Sequence, residues 1–460
     1  MKQFETLTIT DPKKLIFGTT PHPLSFSNGM VIGGGTVYPE INFTLPPMDI
    51  TKDTFKEVLS QYRQMVTGVL ERARSLYVPG VVVEVELLPQ TTMEPNWGVE
   101  ITRQTVEIMR EFENKHSLKS LLRITPNDIR EMSRPPMMRE GELYHNMLET
   151  FRNCALAGAD MLAIESTGGK EVHDDALLNA DLSSILVILG VMGVRDMRHL
   201  WLDITRIARE TGTIPSGDSA CGFGNTAMVL AEKGYIPRTF AAVVRVATVI
   251  RSLVAFEAGA VGPSKDCAYE GPYLKAITGY SISMEGRSAA VAHLSPLGNI
   301  AAAAADLWSN ESVQNLKLLA EHAPIVSMEQ LAYDCRLFNT AISHGPEDAL
   351  HLRDLHVESD SPLDPQAYVL RPDIVVEIAS EILKAPNHFT RTKQAARTGI
   401  RVLKDAIDKG KIKVSPRELP WLDRMEQETE ELPDDVEKAW AAVRDRLDLD
   451  KIRLQDYDLS

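Results

Sequence analysis

Between Val81 and Gly271 short β-branched runs alternate with long amphipathic stretches. Val81-Val-Val-Glu-Val-Glu-Leu-Leu88, Ser120-Leu-Leu-Arg-Ile-Thr125 and Asp160-Met-Leu-Ala-Ile-Glu165 have the length and branching of strands buried on both faces. Residues 52–76 place Phe55, Val58, Leu59, Tyr62, Met65 and Val66 on one helical stripe, with Thr54 as its cap. Further helical patterns cover 99–115, 140–157, 174–192, 195–210 and Arg238–Gly259, with Gly190 and Gly193 marking a break. Strand, loop and helix in repeated succession require a parallel sheet covered by helices.

Such a sheet is either open and doubly wound or closed. Gly33-Gly34-Gly35 lacks both the Lys-Ser/Thr of a P-loop and the spacing of a dinucleotide fingerprint, so nothing opens the sheet as a nucleotide fold would. The chemically interesting residues fall at the C-terminal ends of successive strands, where barrel active sites lie. The expectation is therefore an α/β chain forming a (β/α)8 TIM-type barrel with N-terminal and C-terminal helical extensions. Residues 1–50 form the first extension, 51–349 the barrel and 350–460 a charged helical segment with helices over 372–385, 389–409 and 433–447. The later barrel units read less clearly, with helices expected near 298–308 and 311–322.

The chain has four cysteines in 460 residues, too few for a disulfide framework. Cys154 and Cys335 sit in apolar helical contexts and read as small core residues. Cys221 and Cys267 differ. Each follows a Pro-Ser-x-Asp sequence in a loop, in Pro215-Ser-Gly-Asp-Ser-Ala-Cys221 and Pro263-Ser-Lys-Asp-Cys267. Loop positions at strand ends favour function, here a metal or nucleophile role. Glu165 ends an apolar strand, where a carboxylate needs a partner, either a salt bridge or a metal. Two thiolates and a carboxylate make a tetrahedral zinc site with one position open for chemistry. A net charge of -15 excludes nucleic acid as a natural partner. The run Ser184–Val194 is too short to span a bilayer, which takes roughly 20 residues. With no apolar leader at the N-terminus, the expectation is a cytoplasmic protein without membrane contact.

Three stretches together carry a family resemblance: Met161–Leu178 with Ala-Ile-Glu-Ser-Thr-Gly-Gly, Pro215–Thr226 with Ser-Ala-Cys-Gly-Phe-Gly, and Val261–Pro272 with Ser-Lys-Asp-Cys-Ala. The chain resembles the zinc-containing subunit of methanol:corrinoid methyltransferases over essentially its whole length. That resemblance implies a (β/α)8 barrel and one Zn2+ per chain held by Glu165, Cys221 and Cys267. It also implies a separate corrinoid-carrying protein as partner, and a homodimer within a larger hetero-oligomer. The implied reaction moves the methyl group of methanol to Co(I), giving methyl-Co(III). The alternatives keep the zinc barrel and change the donor to a methoxylated compound or a methylamine, or make it a lyase or hydrolase using metal-bound water.

Three anionic ligands leave a formal charge near roughly -1 on such a site, so the C–O bond is polarised without full ionisation of the alcohol. The leaving oxygen then needs a proton. Candidates in or beside the motif loops are Asp218, Asp266, Lys265, His173, Asp174 and Asp175. Glu84 and Glu86 share one face of their strand, where they either line the barrel mouth or serve a structural role. Gly222, Gly224 and Lys265 are candidates for the rim facing the corrinoid, and Gly262 for a tight turn there.

Overall fold

A computed structural model describes residues 3–265 and 268–460. Asp266 and Cys267 therefore lie outside the described residues, as do Met1 and Lys2. Seven strands form one parallel sheet, in the spatial order Ile214–Asp218, Met161–Ile164, Ser120–Thr125, Val81–Glu86, Tyr38–Thr44, Leu307–Val313 and Ser283–Glu285. The β-branched run at 81 behaves as its composition requires. Val81, Val82, Val83 and Val85 are all buried, and the strand pairs in register with both neighbours.

The eight-stranded closed ladder expected from the sequence is not what forms. The regular sheet has seven strands and curls into a partial barrel. Its two edges face the segment 261–264, which is too irregular to make an eighth strand but hydrogen-bonds to both. Val261 N and Gly262 N donate to Pro215 O and Ser216 O, each at 2.9 Å. On the other side Ser264 N donates to Ser281 O, and Ser283 N to Ser264 O, each at 3.3 Å. The physical reason for the irregularity is Gly262-Pro263. Pro263 has no amide to donate, and Gly262 has φ +79°, with Ser281 O only 2.5 Å from where a Cβ would stand.

Three local expectations also change. The Ala-rich stretch expected as helix near 298–308 shrinks to a 3-10 turn, Ile300–Ala304, and the strand Leu307–Val313 follows. Helical propensity in the alanines gives way to pairing with Tyr38–Thr44. The helix expected near 311–322 is instead the end of that strand and a short hairpin of Lys317–Leu318 with Glu321–His322, and the next helix starts at Ala323. The break expected at Gly190 and Gly193 is a widened π turn, Ile188–Gly193, that runs straight on into the helix Val194–Thr211.

The barrel interior is built in layers. Tyr38, Val82, Leu121, Met161 and Leu307 close the floor with Met30 and Ile32. Two residues on, the same faces become charged: Glu40, Glu84 and Arg123 are buried inside. The next alternation reaches Asn42, Glu86, Thr125, Glu165 and Glu311 at the mouth. Outside, the helix Arg238–Glu257 is long and apolar enough to cross a membrane by composition, yet it lies wholly buried within the protein. The helices Cys221–Glu232 and His388–Asp408 pack along it. The C-terminal helices Pro372–Lys384, His388–Asp408, Leu419–Glu431 and Val436–Val443 complete this outer layer.

Candidate active site at the barrel mouth

Glu165 is the first residue past the strand Met161–Ile164. Its neighbours are pinned from three sides. Ser166 donates through N (3.1 Å) and Oγ (2.6 Å) to Asp218, Thr167 N donates to Asp128 Oδ2 at 2.8 Å, and Arg251 Nη2 donates to Ser166 O at 2.6 Å. The backbone is thereby fixed while the Glu165 side chain stays about one-third exposed at the mouth.

Cys221 opens the helix Cys221–Glu232, three residues past the strand Ile214–Asp218. A sulfur at this first turn lies at the positive end of the helix dipole, which favours thiolate over thiol. Asn225 Nδ2, one turn on, donates to Cys221 Sγ at 3.1 Å. The preceding amide, Ala220 N, donates to the buried Glu270 at 2.8 Å, fixing the approach to the helix. Burial pushes the Glu270 carboxyl upward, although Ser252 and Ala220 donate to it.

The two cysteine loops meet. Ala268 N donates to Ser219 Oγ at 3.1 Å, and a Cβ on Gly224 would stand 3.2 Å from that of Ala268. Lys265 is buried on the opposite flank of Cys267, with its ammonium turned into the barrel. Its Nζ lies 2.7 Å from Glu84 Oε1, 2.6 Å from Glu86 Oε1 and 3.6 Å from Glu165 Oε1. Cys267 itself lies outside the described residues. A cavity of about 280 Å³ opens at the mouth, lined by Glu86, Thr125, Asp128, Glu165, Lys170 and Gly222 among others.

The remaining sequence candidates separate clearly. Asp218 is fully buried and braces the strand ends, accepting also from Trp201 Nε1 at 2.8 Å; burial raises its pKa against the opposing charge of Arg251. His173 is buried edge-on against Phe223, with ring centroids 4.9 Å apart, and burial holds it below the ordinary histidine range. Asp174 pairs with Lys170, and Asp175 with Lys451 at 2.6 Å. Asp266 lies outside the described residues. Of the three rim candidates, Gly222 lines the cavity, whereas Gly224 packs on Ala268 and Lys265 points inward. Cys154 and Cys335 are buried, and burial lifts the Cys154 thiol to about 12.

The sequence alone does not mark Glu40, Arg123, Glu285, His293 or Glu311. Arg123 bridges to Glu40 (Nε to Oε1, 2.9 Å), and Lys265 sits beside Glu84, so the interior charges are paired rather than isolated. Burial drives the Glu40 carboxyl up despite Arg123. At Glu84 burial acts the same way, but Lys265 and Arg123 outweigh it and hold the carboxyl below its ordinary range. On the far wall of the mouth, Glu285, His293 and Glu311 bring ligand-capable atoms within 4.8 Å of one another. Glutamates inside otherwise apolar strands were the available signal for Glu40. No spacing in the sequence marks His293.

A family model described as the methanol-cobalamin methyltransferase B subunit matches residues 1–458. The chain belongs to this family. It is 36% identical over 441 residues to the methanol–corrinoid protein co-methyltransferase of Methanosarcina barkeri (strain Fusaro), covering 95% of this chain and 94% of that protein. The crystal structure of the methanol:cobalamin methyltransferase complex from Methanosarcina barkeri contains a chain that superposes with a TM-score of 0.94 at 34% identity, each chain covered in full. Glu165 and Cys221 are each partly exposed, and each has a neighbour beside its ligand-capable atom: Lys265 Nζ at Glu165 and Asn225 Nδ2 at Cys221.

Proposed function

We propose that this chain holds one zinc ion through Glu165, Cys221 and Cys267, and that it transfers the methyl group of methanol to Co(I) of a separate corrinoid protein, giving methyl-Co(III). The observation that carries the reading is that Glu165 and Gly222, the residue after Cys221 in its helix, line one open cavity in a chain of this family. When bound, zinc supplies Lewis-acid polarisation of the methanol C–O bond.

The chain's own residues do the rest. Lys265 stands beside Glu165 Oε1 and limits the directions that carboxylate can take. Asn225 draws electron density from the Cys221 sulfur, which keeps the thiolate a ligand rather than a competing nucleophile. Methanol offers little surface to bind, so exclusion of larger donors by the walls of the mouth must set specificity. Cobalt has to approach the methyl carbon in line, so the corrinoid protein covers the C-terminal end of the strands. With segment 261–264 completing the ring, we read the curled sheet as a (β/α)8-type barrel whose mouth is this site. We further propose a cytoplasmic homodimer decorated by corrinoid subunits.

The test is an absorbance assay with reduced corrinoid protein and methanol, a methoxylated aromatic or methylamine as donors. Methanol alone should convert Co(I) to methyl-Co(III). A zinc-loaded chain that is inactive with methanol and active with another donor refutes the methanol reading.

A further inference from the structure

The far wall of the mouth contains a buried side-chain chain that ends beside the site. Glu285 closes the strand Ser283–Glu285, and its carboxylate is 1% exposed. Its Oε2 accepts from Tyr269 OH at 3.0 Å and lies 3.2 Å from His293 Nδ1. The opposite ring nitrogen, His293 Nε2, lies 3.8 Å from Glu311 Oε2. The imidazole thus stands between two carboxylates and addresses each with a different nitrogen. A nitrogen for each carboxylate is the arrangement of a proton relay.

Two features set a direction along it. Glu285 is buried and already holds Tyr269, so it fixes Nδ1–H as the donor and leaves Nε2 toward Glu311. His293 is about one-quarter exposed, so protons can enter from solvent at its ring. Glu311 also belongs to the mouth. It pairs with Asn42, whose amide donates to Glu86 Oε1 at 2.7 Å, and Glu86 shares Lys265 with Glu165. The charged groups acting on Glu311 are the carboxylates Glu86, Glu285 and Glu165 and the ammonium of Lys265. Burial first, then those carboxylates, drives its carboxyl well above the ordinary range, against Lys265. A carboxyl at the mouth that holds its proton more tightly than usual is the kind of donor a departing hydroxide requires.

We propose that Glu311 protonates the oxygen leaving methanol, and that His293, positioned by Glu285, resupplies the proton from solvent. This rests on the methanol reading above. The C–O bond breaks with its electron pair on oxygen, and Co(I) supplies the pair of the new Co–C bond and becomes Co(III). The Glu311 proton joins the oxygen to give water. His293 Nε2 then takes a proton from solvent, and the imidazolium passes it to the Glu311 carboxylate, which returns the ring to its Nδ1–H form.

The experiment compares wild type with Glu311→Gln, Glu311→Asp and His293→Gln, using intact chain with corrinoid protein. Zinc content, kcat, KM for methanol and the pH profile are measured for each. Glu311→Gln should keep its zinc and lose about 100-fold or more in kcat, with KM changed less than about threefold. Wild-type kcat should fall at alkaline pH as the acid deprotonates, and Glu311→Gln should lose that limb. Glu311→Asp should restore part of the rate. His293→Gln should be slow and accelerate with added imidazole, which decides the matter should Glu311→Gln fold poorly. A zinc-replete Glu311→Gln with kcat within threefold of wild type, or with the alkaline limb intact, overturns the proposal. So does a second metal equivalent in wild type that His293→Gln abolishes, since the cluster would then be a metal site. A wild-type chain that lacks zinc or ignores methanol instead refutes the underlying reading, and the two failures are distinguishable.

Discussion

Lys265 Nζ stands 3.6 Å from Glu165 Oε1 while ion-pairing at 2.7 Å with Glu84 inside the barrel. One buried cation thus joins the stability of the interior to the placement of a proposed ligand. Removing it by Lys265→Met leaves Glu84 buried without its nearest counter-charge. Loss of one partner of a buried pair costs about 3–5 kcal/mol. Glu165→Gln alters a partly exposed group and should cost less than about 1 kcal/mol in the zinc-free protein. Denaturant unfolding of both variants, each stripped of metal, measures the contrast. Equal losses would place Glu165 in the same interior network rather than at the mouth.

Asn225 donates to the Cys221 sulfur and its Oδ1 has no hydrogen-bond partner among the described residues, so the side chain is oriented by the sulfur alone. Asn225→Leu preserves size and removes the donor. Zinc affinity, read by competition with a chelator, should fall about 10–100-fold. Unfolding of the metal-free form should shift little.

His356 supplies a pH handle far from the mouth. It is 7% exposed, its Nε2 accepts from Arg287 Nη2 at 3.2 Å, and it packs edge-on against Phe338. Burial first, then Arg287, lowers it to about 4 from 6.5. The unfolded chain therefore binds the extra proton between those values, so stability from neutral His356 is complete above pH 6.5 and is lost as pH falls toward 4. Measured as the stability of wild type minus that of His356→Gln, the difference should shrink by up to about 3 kcal/mol between pH 7 and pH 4. The subtraction matters because burial raises Asp160 and Asp364 to about 6, which gives the opposite slope.

Much of this architecture was legible in the sequence, for reasons that also show where legibility ends. Val81–Glu86 reads as a buried strand because branched residues fill both faces, and its two glutamates share a face because strand side chains alternate. Both meet Lys265, but only Glu86 reaches the mouth; Glu84 is buried in the layer beneath it. Leu307–Val313 was hidden because Ser309, Asn310 and Ser312 lack strand character, and only pairing with Tyr38–Thr44 makes them extended. The irregular closure at 261–264 depends on hydrogen bonds to residues 215–216 and 281–283, which no local pattern encodes.

At the site, Glu165 and Cys221 were visible as polar residues at strand ends. Asp218 was not recognisable as a brace, because its partners Trp201 and Ser166 come from other elements. Glu285, His293 and Glu311 come from two strands and a helix end, and their convergence exists only in the folded chain.

The central claim is the ligand set, and elemental zinc analysis tests it most directly. Purified wild-type chain should hold about one zinc, as a three-ligand catalytic site requires. Glu165→Ala, Cys221→Ala and Cys267→Ala, each shown to be folded, should hold about a tenth or less. A folded variant among the three that keeps a full equivalent of zinc contradicts the account.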